Sequence, residues 1–184
     1  VYSFCMCPGG IIVPAATQQQ GVVVNGMSFF KRNSGYANAG MVVETRLADI
    51  PDLQPTGSLG GLLYQRALER TAFDHSGGQM VAPAQRLVDF IANRASSSLP
   101  PCSYPPGVVA SPLHQWLPEP ICRRLQAAFK AFGHKMNGFL TKDALVVGVE
   151  SRTSSPVRIP RDHRTLQHGT VSGLFPCGEG AGYA

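Results

Sequence analysis

The feature that most constrains this chain is a change in the spacing of its apolar residues. The first fifty residues contain four short runs rich in Val and Ile, each bounded by Gly, Pro, Asn or Ser, which is typical of strands. These runs lie at residues 1–7, 11–16, 22–25 and 41–47. Turn residues separate the first three runs, so we expect an antiparallel meander. The longer stretch at residues 27–40 is predicted to be an exposed loop.

Helical spacing replaces this pattern in the middle of the chain. Apolar residues recur three and four positions apart from Leu62 to Phe73, which predicts a helix that ends before a Gly-Gly pair. A shorter helix is predicted over residues 87–91. A third is predicted over residues 120–135, where one face is apolar and the opposite face is polar and charged. Four prolines at residues 100–106 indicate an irregular connection between these two helices.

The apolar run at residues 144–149 predicts a return to strand. Its β-branched content favours a strand buried on both faces, and a helix with Thr141 as its N-cap is the alternative. We therefore expect an α+β fold, in which a barrel-like antiparallel β-sheet carries a helical insertion. The strands would come from residues 1–50 and the helical part from residues 58–138.

Composition excludes several classes of protein. No apolar stretch approaches the roughly 20 residues that a membrane-spanning helix needs. The five cysteines are an odd number at irregular spacings, so we expect no disulfide framework, no metal site and a reducing compartment. Cys5 and Cys7 are interpreted as small buried apolar residues, with joint redox or metal work as the alternative. Both ends look cut, because the first has no leader pattern and the last stops in a glycine-rich turn, so we expect a segment of a longer protein.

The stretch at residues 150–162 is rich in arginine and hydroxyl side chains. Its arginines are Arg152, Arg158 and Arg161, and its hydroxyls include Ser151, Thr153, Ser154 and Ser155. Guanidinium groups beside hydroxyl donors suit phosphate or carboxylate groups, because each arginine can make two parallel charge-assisted hydrogen bonds. A solvated basic loop is an equal alternative on composition alone.

The end of the chain is rich in glycine. Gly178, Gly180 and Gly182 alternate with other residues, which would let the phosphates or sugar of a ligand approach the backbone closely. Glu179 could accept hydrogen bonds from ribose-type hydroxyls. The pattern lacks the third glycine of the dinucleotide-binding turn, and a flexible tail is the favoured alternative when the stretch is taken alone.

Several strings taken together resemble a family of FAD-dependent dehydrogenases and oxidoreductases of bacteria and plastids. They are residues 1–10 with the sequence VYSFCMCPGG, and residues 25–28, 37–39, 148–161 and 173–184, in the same order as in the family. The resemblance implies a parent protein with an FAD-binding Rossmann-type segment before this chain. It further implies a substrate-side insertion domain over residues 1–145 and a truncated return to the FAD-binding domain over residues 146–184.

The resemblance also implies a site. FAD is the implied cofactor of the parent, and NAD(P)H is one candidate electron donor. The residues expected near the flavin ring are Arg152, Thr153, Ser154, Ser155 and Pro156, and those expected near the ribityl chain and pyrophosphate are Gly178, Glu179, Gly180 and Gly182. Arg152 and Arg158 would steady negative charge, and Arg152 and Cys7 are the implied catalytic residues. Because the pyrophosphate-binding turn is not in this sequence, the chain alone should bind FAD weakly or not at all and should be inactive.

A basic, non-enzymatic binding module is the alternative function. The formal charge of +5 would suit RNA or an acidic protein partner. The basic residues are scattered rather than gathered in one run, so we consider nucleic acid the weaker partner. If the chain belongs to an FAD-dependent oxidoreductase, as the resemblance implies, we expect the protein in the cytoplasm or the plastid stroma.

Overall fold

The computed structural model describes residues 1–50 and 57–183. These residues form two compact units. The larger unit comprises Val1–Thr45 and Ala67–Ser151, and the smaller unit comprises Arg46–Arg66 and Arg152–Ala184. The division between residues 145 and 146 that the resemblance implies stays a prediction.

Four strands occupy the first part of the larger unit. They are β1 (Tyr2–Pro8), β2 (Gly10–Pro14), β3 (Val24–Ser28) and β4 (Ala37–Val42). β1 pairs antiparallel with β4, and β2 pairs antiparallel with β3. The β2–β3 hairpin therefore lies, along the sequence, between the two strands of the other pair. The predicted strands over residues 1–7 and 11–16 are therefore present, but they are not neighbours in a meander. The predicted loop at residues 27–40 contains the start of β4.

The prediction of a barrel-like sheet is wrong for the residues that the structure describes. They contain two two-stranded sheets and one three-stranded sheet, and none of them closes. At the start of β3, the Val24 amide donates to the Val149 carbonyl at 2.9 Å. The Val22 amide likewise donates to the Glu69 carbonyl at 3.1 Å. Because these two amides already donate to carbonyls outside the sheet, they are not available to pair with a further strand at the start of β3.

All three predicted helices are confirmed. They are α1 (Gly60–His75), α2 (Leu87–Ile91) and α4 (Glu119–Lys135), and a four-residue helix α3 (Leu113–Trp116) lies between the last two. α4 begins with Pro120 in its first turn and ends with His134 and Lys135 in its last turn. Proline fits the first turn, because the backbone amides there have no partner within the helix. Positive charge in the last turn interacts favourably with the negative end of the helix dipole.

The third sheet is mixed. β5 (Ala82–Arg86) lies between β6 (Val108–Ala110), to which it is parallel, and β7 (Leu145–Val147), to which it is antiparallel. β7 confirms a strand within the run at residues 144–149, and the alternative helix is wrong there. Its three residues are half-buried, so the expected burial on both faces is wrong. β5 contains Pro83, whose carbonyl still accepts from the Gly148 amide at 3.0 Å.

Two apolar clusters make the core of the larger unit. The first contains Val22, Val24, Ala72, Ala82, Tyr104 and Val149, and the second contains Leu87, Phe90, Leu113, Cys122, Leu125 and Phe129. The second cluster joins α2, α3 and α4. The apolar face that the sequence predicts for α4 is the face that packs into this cluster. Within the described part of the chain, no helix is both long and apolar enough to cross a membrane.

The smaller unit has little regular structure. It contains short 3-10 helices at Leu47–Asp49, Gly57–Leu59 and Glu179–Ala181, together with the start of α1. Its described residues between 152 and 178 form turns, bends and extended segments without a helix or strand. The return to a Rossmann-type domain over residues 146–184 therefore stays a prediction.

Candidate functional site

The smaller unit brings the arginine-rich stretch and the glycine-rich end together. The Ile159 amide donates to the Ala181 carbonyl at 3.1 Å. The Ser155 hydroxyl donates to the Val157 carbonyl at 2.7 Å, and its oxygen lies 3.4 Å from the Gly180 carbonyl oxygen. Two stretches more than twenty residues apart in the sequence thus form one continuous surface, which we call the arginine-glycine site.

Tyr183 lies against two arginines of this site. The guanidinium carbon of Arg161 is 3.8 Å from the centre of the Tyr183 ring, and that of Arg158 is 4.6 Å from it. Arg161 also donates a hydrogen bond to the carbonyl of Pro176, which is buried. Cation–π contacts favour both guanidiniums over the ring, yet they do not neutralise charge. The two positive groups held this way form a ready binding surface for an anion.

The three glycines of the site have different surroundings. Gly182 has a φ of +79°, and a Cβ placed there would lie 2.9 Å from the Val157 carbonyl oxygen. Gly178 has a φ of +73° and Gly180 has an ordinary φ, and a Cβ at either would meet no atom within 4 Å. Gly182 is therefore required by packing and backbone conformation, whereas Gly178 and Gly180 leave their backbone open to a ligand.

Glu179 lies between these glycines, in the 3-10 helix Glu179–Ala181, and it is exposed. Its carbonyl accepts from the Gly182 amide at 2.8 Å, and the Gly178 carbonyl accepts from the Tyr183 amide at 2.9 Å. These two bonds fix the turn that presents the carboxylate. An exposed carboxylate on a fixed turn can accept hydrogen bonds from hydroxyl groups of a ligand.

A hydrogen-bonded turn follows Arg161. One Asp162 carboxylate oxygen accepts from the Arg164 amide at 2.9 Å, the Thr165 amide at 2.7 Å and the Thr165 hydroxyl at 3.0 Å. The hydrogen bonds from Thr165, followed by the one from Arg164, lower the pKa of Asp162 from its ordinary value. The turn anchors the backbone directly after the arginine that contacts Tyr183.

The other predicted flavin residues lie at the start of the same stretch. Arg152 is half-buried, and Thr153, Ser154 and Pro156 are exposed. Pro156 packs beside the first turn of α1, where a Cβ on Gly61 would lie 3.0 Å from the Pro156 Cβ. The exposed hydroxyls of this stretch are accessible to a ligand.

Cys7, the other predicted catalytic residue, belongs to the larger unit and is buried, with 7% of its surface exposed. Its thiol donates to the Cys5 carbonyl at 3.0 Å. Glu150, at the end of the larger unit, lies near β4, since a Cβ on Gly40 would be 2.8 Å from its carboxylate oxygen. Burial raises the pKa of Glu150.

Two residues of these sites were not singled out from the sequence. Tyr183 is one, and no local pattern identifies it, because its contacts with Arg158 and Arg161 depend on how the chain folds between them. Glu150 is the other, and it is the first residue of the arginine-rich stretch. Its burial depends on β4, which no local pattern connects to residue 150.

Known proteins similar to this chain were found at two levels, a family model and a single relative. Residues 1–153 match the family model described as "FAD-dependent protein, C-terminal domain-like". The chain is also 40% identical over 186 residues to an uncharacterized protein of Clostridium beijerinckii, in a match that covers 100% of this chain and 34% of that protein. The chain thus spans about a third of the length of this relative. The family match includes Cys7, Arg152 and Thr153 and stops before the rest of the arginine-glycine site.

Proposed function

This chain belongs to the family described as FAD-dependent protein, C-terminal domain-like, and we propose that it forms the substrate-side and C-terminal portion of an FAD-dependent oxidoreductase. In this proposal the arginine-glycine site contributes one wall of the flavin pocket of the whole protein. The electron donor would be NAD(P)H and the reaction a dehydrogenation or its reverse. The protein would work in a reducing compartment, the cytoplasm or the plastid stroma.

One observation carries the proposal most strongly. The two stretches that sequence resemblance assigns to the flavin, residues 152–158 and 178–182, are adjacent in the smaller unit. They are joined by the hydrogen bond from Ile159 to Ala181 and by the contact of Arg158 with Tyr183. Stretches that bind one cofactor must be adjacent, and this packing meets that requirement.

The donors and acceptors of the site fit the parts of FAD. The guanidiniums of Arg158 and Arg161 suit the pyrophosphate, because charge-assisted hydrogen bonds to phosphate are among the strongest in proteins. Glu179 suits a ribityl hydroxyl, and the open backbones of Gly178 and Gly180 admit a close approach.

Arg152 and Cys7 are proposed to act on the reacting groups. When bound, FAD would supply the two-electron chemistry, and the protein would supply orientation and electrostatics. Arg152 would stabilise negative charge that develops on the flavin or the substrate. Cys7 would take part in redox chemistry or proton transfer. Because Cys7 is buried, it would exchange protons or electrons with solvent only through another, more exposed group.

The test uses a chimera in which this chain replaces the matched part of the Clostridium beijerinckii protein. The affinity of the chimera for FAD is measured by titration of flavin fluorescence, with and without the double substitution Arg158→Gln and Arg161→Gln. Loss of two charge-assisted hydrogen bonds, at about 1.5 kcal/mol or more each, predicts at least roughly a hundredfold weaker binding.

Arg123→Gln serves as the matched control. Arg123 is an exposed arginine of α4 that pairs with Glu119 at 3.2 Å, and its loss should leave the affinity for FAD unchanged. Equal affinity of the chimera and its double variant would contradict the role of the site. A folded chimera that retains no flavin absorbance after FAD is added and unbound FAD is removed would contradict the function itself.

A further inference from the structure

The backbone of β1 is bent between its two cysteines. The pairing of β1 with β4 shifts register between Phe4 and Cys7, and Cys5 has a φ of +47°. In a regular strand, residues two apart lie about 6.6 Å from each other, near the upper limit of the Cα separation that a disulfide tolerates. Here the Cys7 sulfur lies 3.0 Å from the Cys5 carbonyl oxygen, so the Cys7 side chain folds back over the Cys5 peptide.

The surroundings of Cys7 are fitted to a small sulfur-bearing side chain. A Cβ on Gly10 would lie 2.8 Å from the Cys7 Cβ, and one on Gly26 would lie 3.4 Å from its sulfur. Neither glycine needs a positive φ. A Cβ at these glycines would also meet the Met27 carbonyl oxygen and the Asn38 side-chain oxygen. The space beside Cys7 is therefore closed by β2, β3 and β4, while Cys5 is exposed.

Cys5 and Cys7 also interact electrostatically. The pKa of the exposed Cys5 thiol is raised by partial desolvation, by the negative charge of Glu150 and by that of Cys7, so only a small fraction of Cys5 is thiolate at neutral pH. The geometry that brings the two residues together is the 3.0 Å contact between the Cys7 sulfur and the Cys5 carbonyl oxygen. An exposed thiol beside a buried one is the arrangement in which the first attacks and the second resolves.

We propose that Cys5 and Cys7 form a redox-active dithiol that exchanges with the disulfides of small thiols. The Cys5 thiolate attacks one sulfur of the disulfide, forming a mixed disulfide and releasing the first small thiolate. The Cys7 thiolate then attacks the Cys5 sulfur, forming the Cys5–Cys7 disulfide and releasing the second. Two electrons pass from the cysteines to the small disulfide, and the two cysteine protons end on the released thiols or in solvent.

The inference does not rest on the flavin site, because the exchange needs no flavin. The full 184-residue chain is incubated in glutathione redox buffers, the free thiols are alkylated, and the peptides are identified by mass spectrometry. We expect a Cys5–Cys7 disulfide in oxidising buffer, with Cys102 and Cys122 alkylated after denaturation and the exposed Cys177 either alkylated or carrying glutathione. Cys5 and Cys7 that are both alkylated in fully oxidised glutathione, or that pair with other cysteines, would overturn the proposal.

Single substitutions separate the two roles. Cys5→Ser, at an exposed position, should remove all glutathione adducts from the pair, whereas Cys7→Ser should trap glutathione on Cys5. Cys102→Ser is the control and should leave the disulfide intact. An adduct that forms on Cys7 in the Cys5→Ser variant would contradict the order of attack, and circular dichroism verifies that each variant is folded.

The neighbouring carboxylate provides an independent readout. Glu150→Gln removes the negative charge that raises the pKa of Cys5, so more of this thiol is ionised at neutral pH. We expect Cys5 of this variant to react faster with glutathione disulfide at pH 7, because the fraction of thiolate rises by more than the nucleophilicity of each thiolate falls. A rate that is unchanged or lower would show that Glu150 does not act on the attacking sulfur.

Discussion

At the scale of single residues, the arginine-glycine site depends on one glycine more than on its neighbours. Gly182 combines a left-handed backbone with a close approach to the Val157 carbonyl, whereas the space around Gly180 is empty. The alternation of glycines in the sequence could not separate these roles, because backbone conformation and neighbouring atoms differ from one glycine to the next. The two positions therefore give a matched pair of variants.

Gly182→Ala should loosen the site and Gly180→Ala should not. The first places a Cβ in a strained conformation against the backbone, at a cost of about 1–3 kcal/mol. We expect faster hydrogen exchange of the Ile159 amide, which donates to Ala181 next to Gly182. Exchange at Ile159 that is equally fast in both variants would show that the packing of Gly182 does not hold the two stretches together.

Asp89 gives a prediction for acid pH. This buried carboxylate accepts from Arg94 at 2.9 Å and from Ser96 at 2.8 Å. The hydrogen bond from Arg94 lowers its pKa, with further lowering by Ser96 and by the charges of Arg94 and Arg86. Its stabilising contribution is therefore fully present above the ordinary aspartate pKa of about 3.9, and it is lost as the pH falls through the lowered value.

Asp89→Asn tests this in denaturant unfolding. The variant should lose about 1–3 kcal/mol at pH 7, since a buried charged network is broken. It should also lose less of its remaining stability below pH 4 than the parent chain does. Asp74→Asn is the control: Asp74 pairs with Arg70 at 2.9 Å on an exposed surface, and its loss should cost about 0–1 kcal/mol. Equal losses in the two variants would contradict the account.

At the scale of elements, the sequence predicted helices better than strand pairing. The apolar faces of α1 and α4 repeat at the helical period, so their positions can be read locally. The pairing of β1 with β4 joins residues that lie from 29 (Pro8 and Ala37) to 40 (Tyr2 and Val42) positions apart. The turn at residues 8–10 is compatible with either partner. β5 was missed because Pro83 argues against an inner strand.

Phe129 tests the packing of α4. It is buried, and its ring lies 6.0 Å from that of Phe90 and 6.3 Å from that of Phe139, measured between ring centres. Phe129→Ala should therefore destabilise the chain by about 3–5 kcal/mol in thermal or denaturant unfolding. Lys130→Ala, on the exposed side of the same helix, should change stability by no more than about 0.5 kcal/mol. A loss below about 1 kcal/mol at Phe129 would contradict the second apolar cluster.

At the scale of the whole molecule, the proposed flavin site could be predicted only in part. The residues of both stretches were assigned through the family resemblance, because their chemistry alone left a solvated loop and a flexible tail as alternatives. Their adjacency could not be derived from local patterns, since it depends on the path of the chain between residues 161 and 178. The same path places Tyr183 on Arg158 and Arg161, which no periodicity predicts.

The most direct test of the central claim is photolabelling of the Clostridium beijerinckii chimera with an azido-flavin analogue of FAD. After irradiation, the labelled peptides are identified with and without excess FAD as competitor. The account predicts label at residues 152–161 or 173–183 that FAD suppresses. Label that FAD suppresses only at positions outside these two stretches would contradict it.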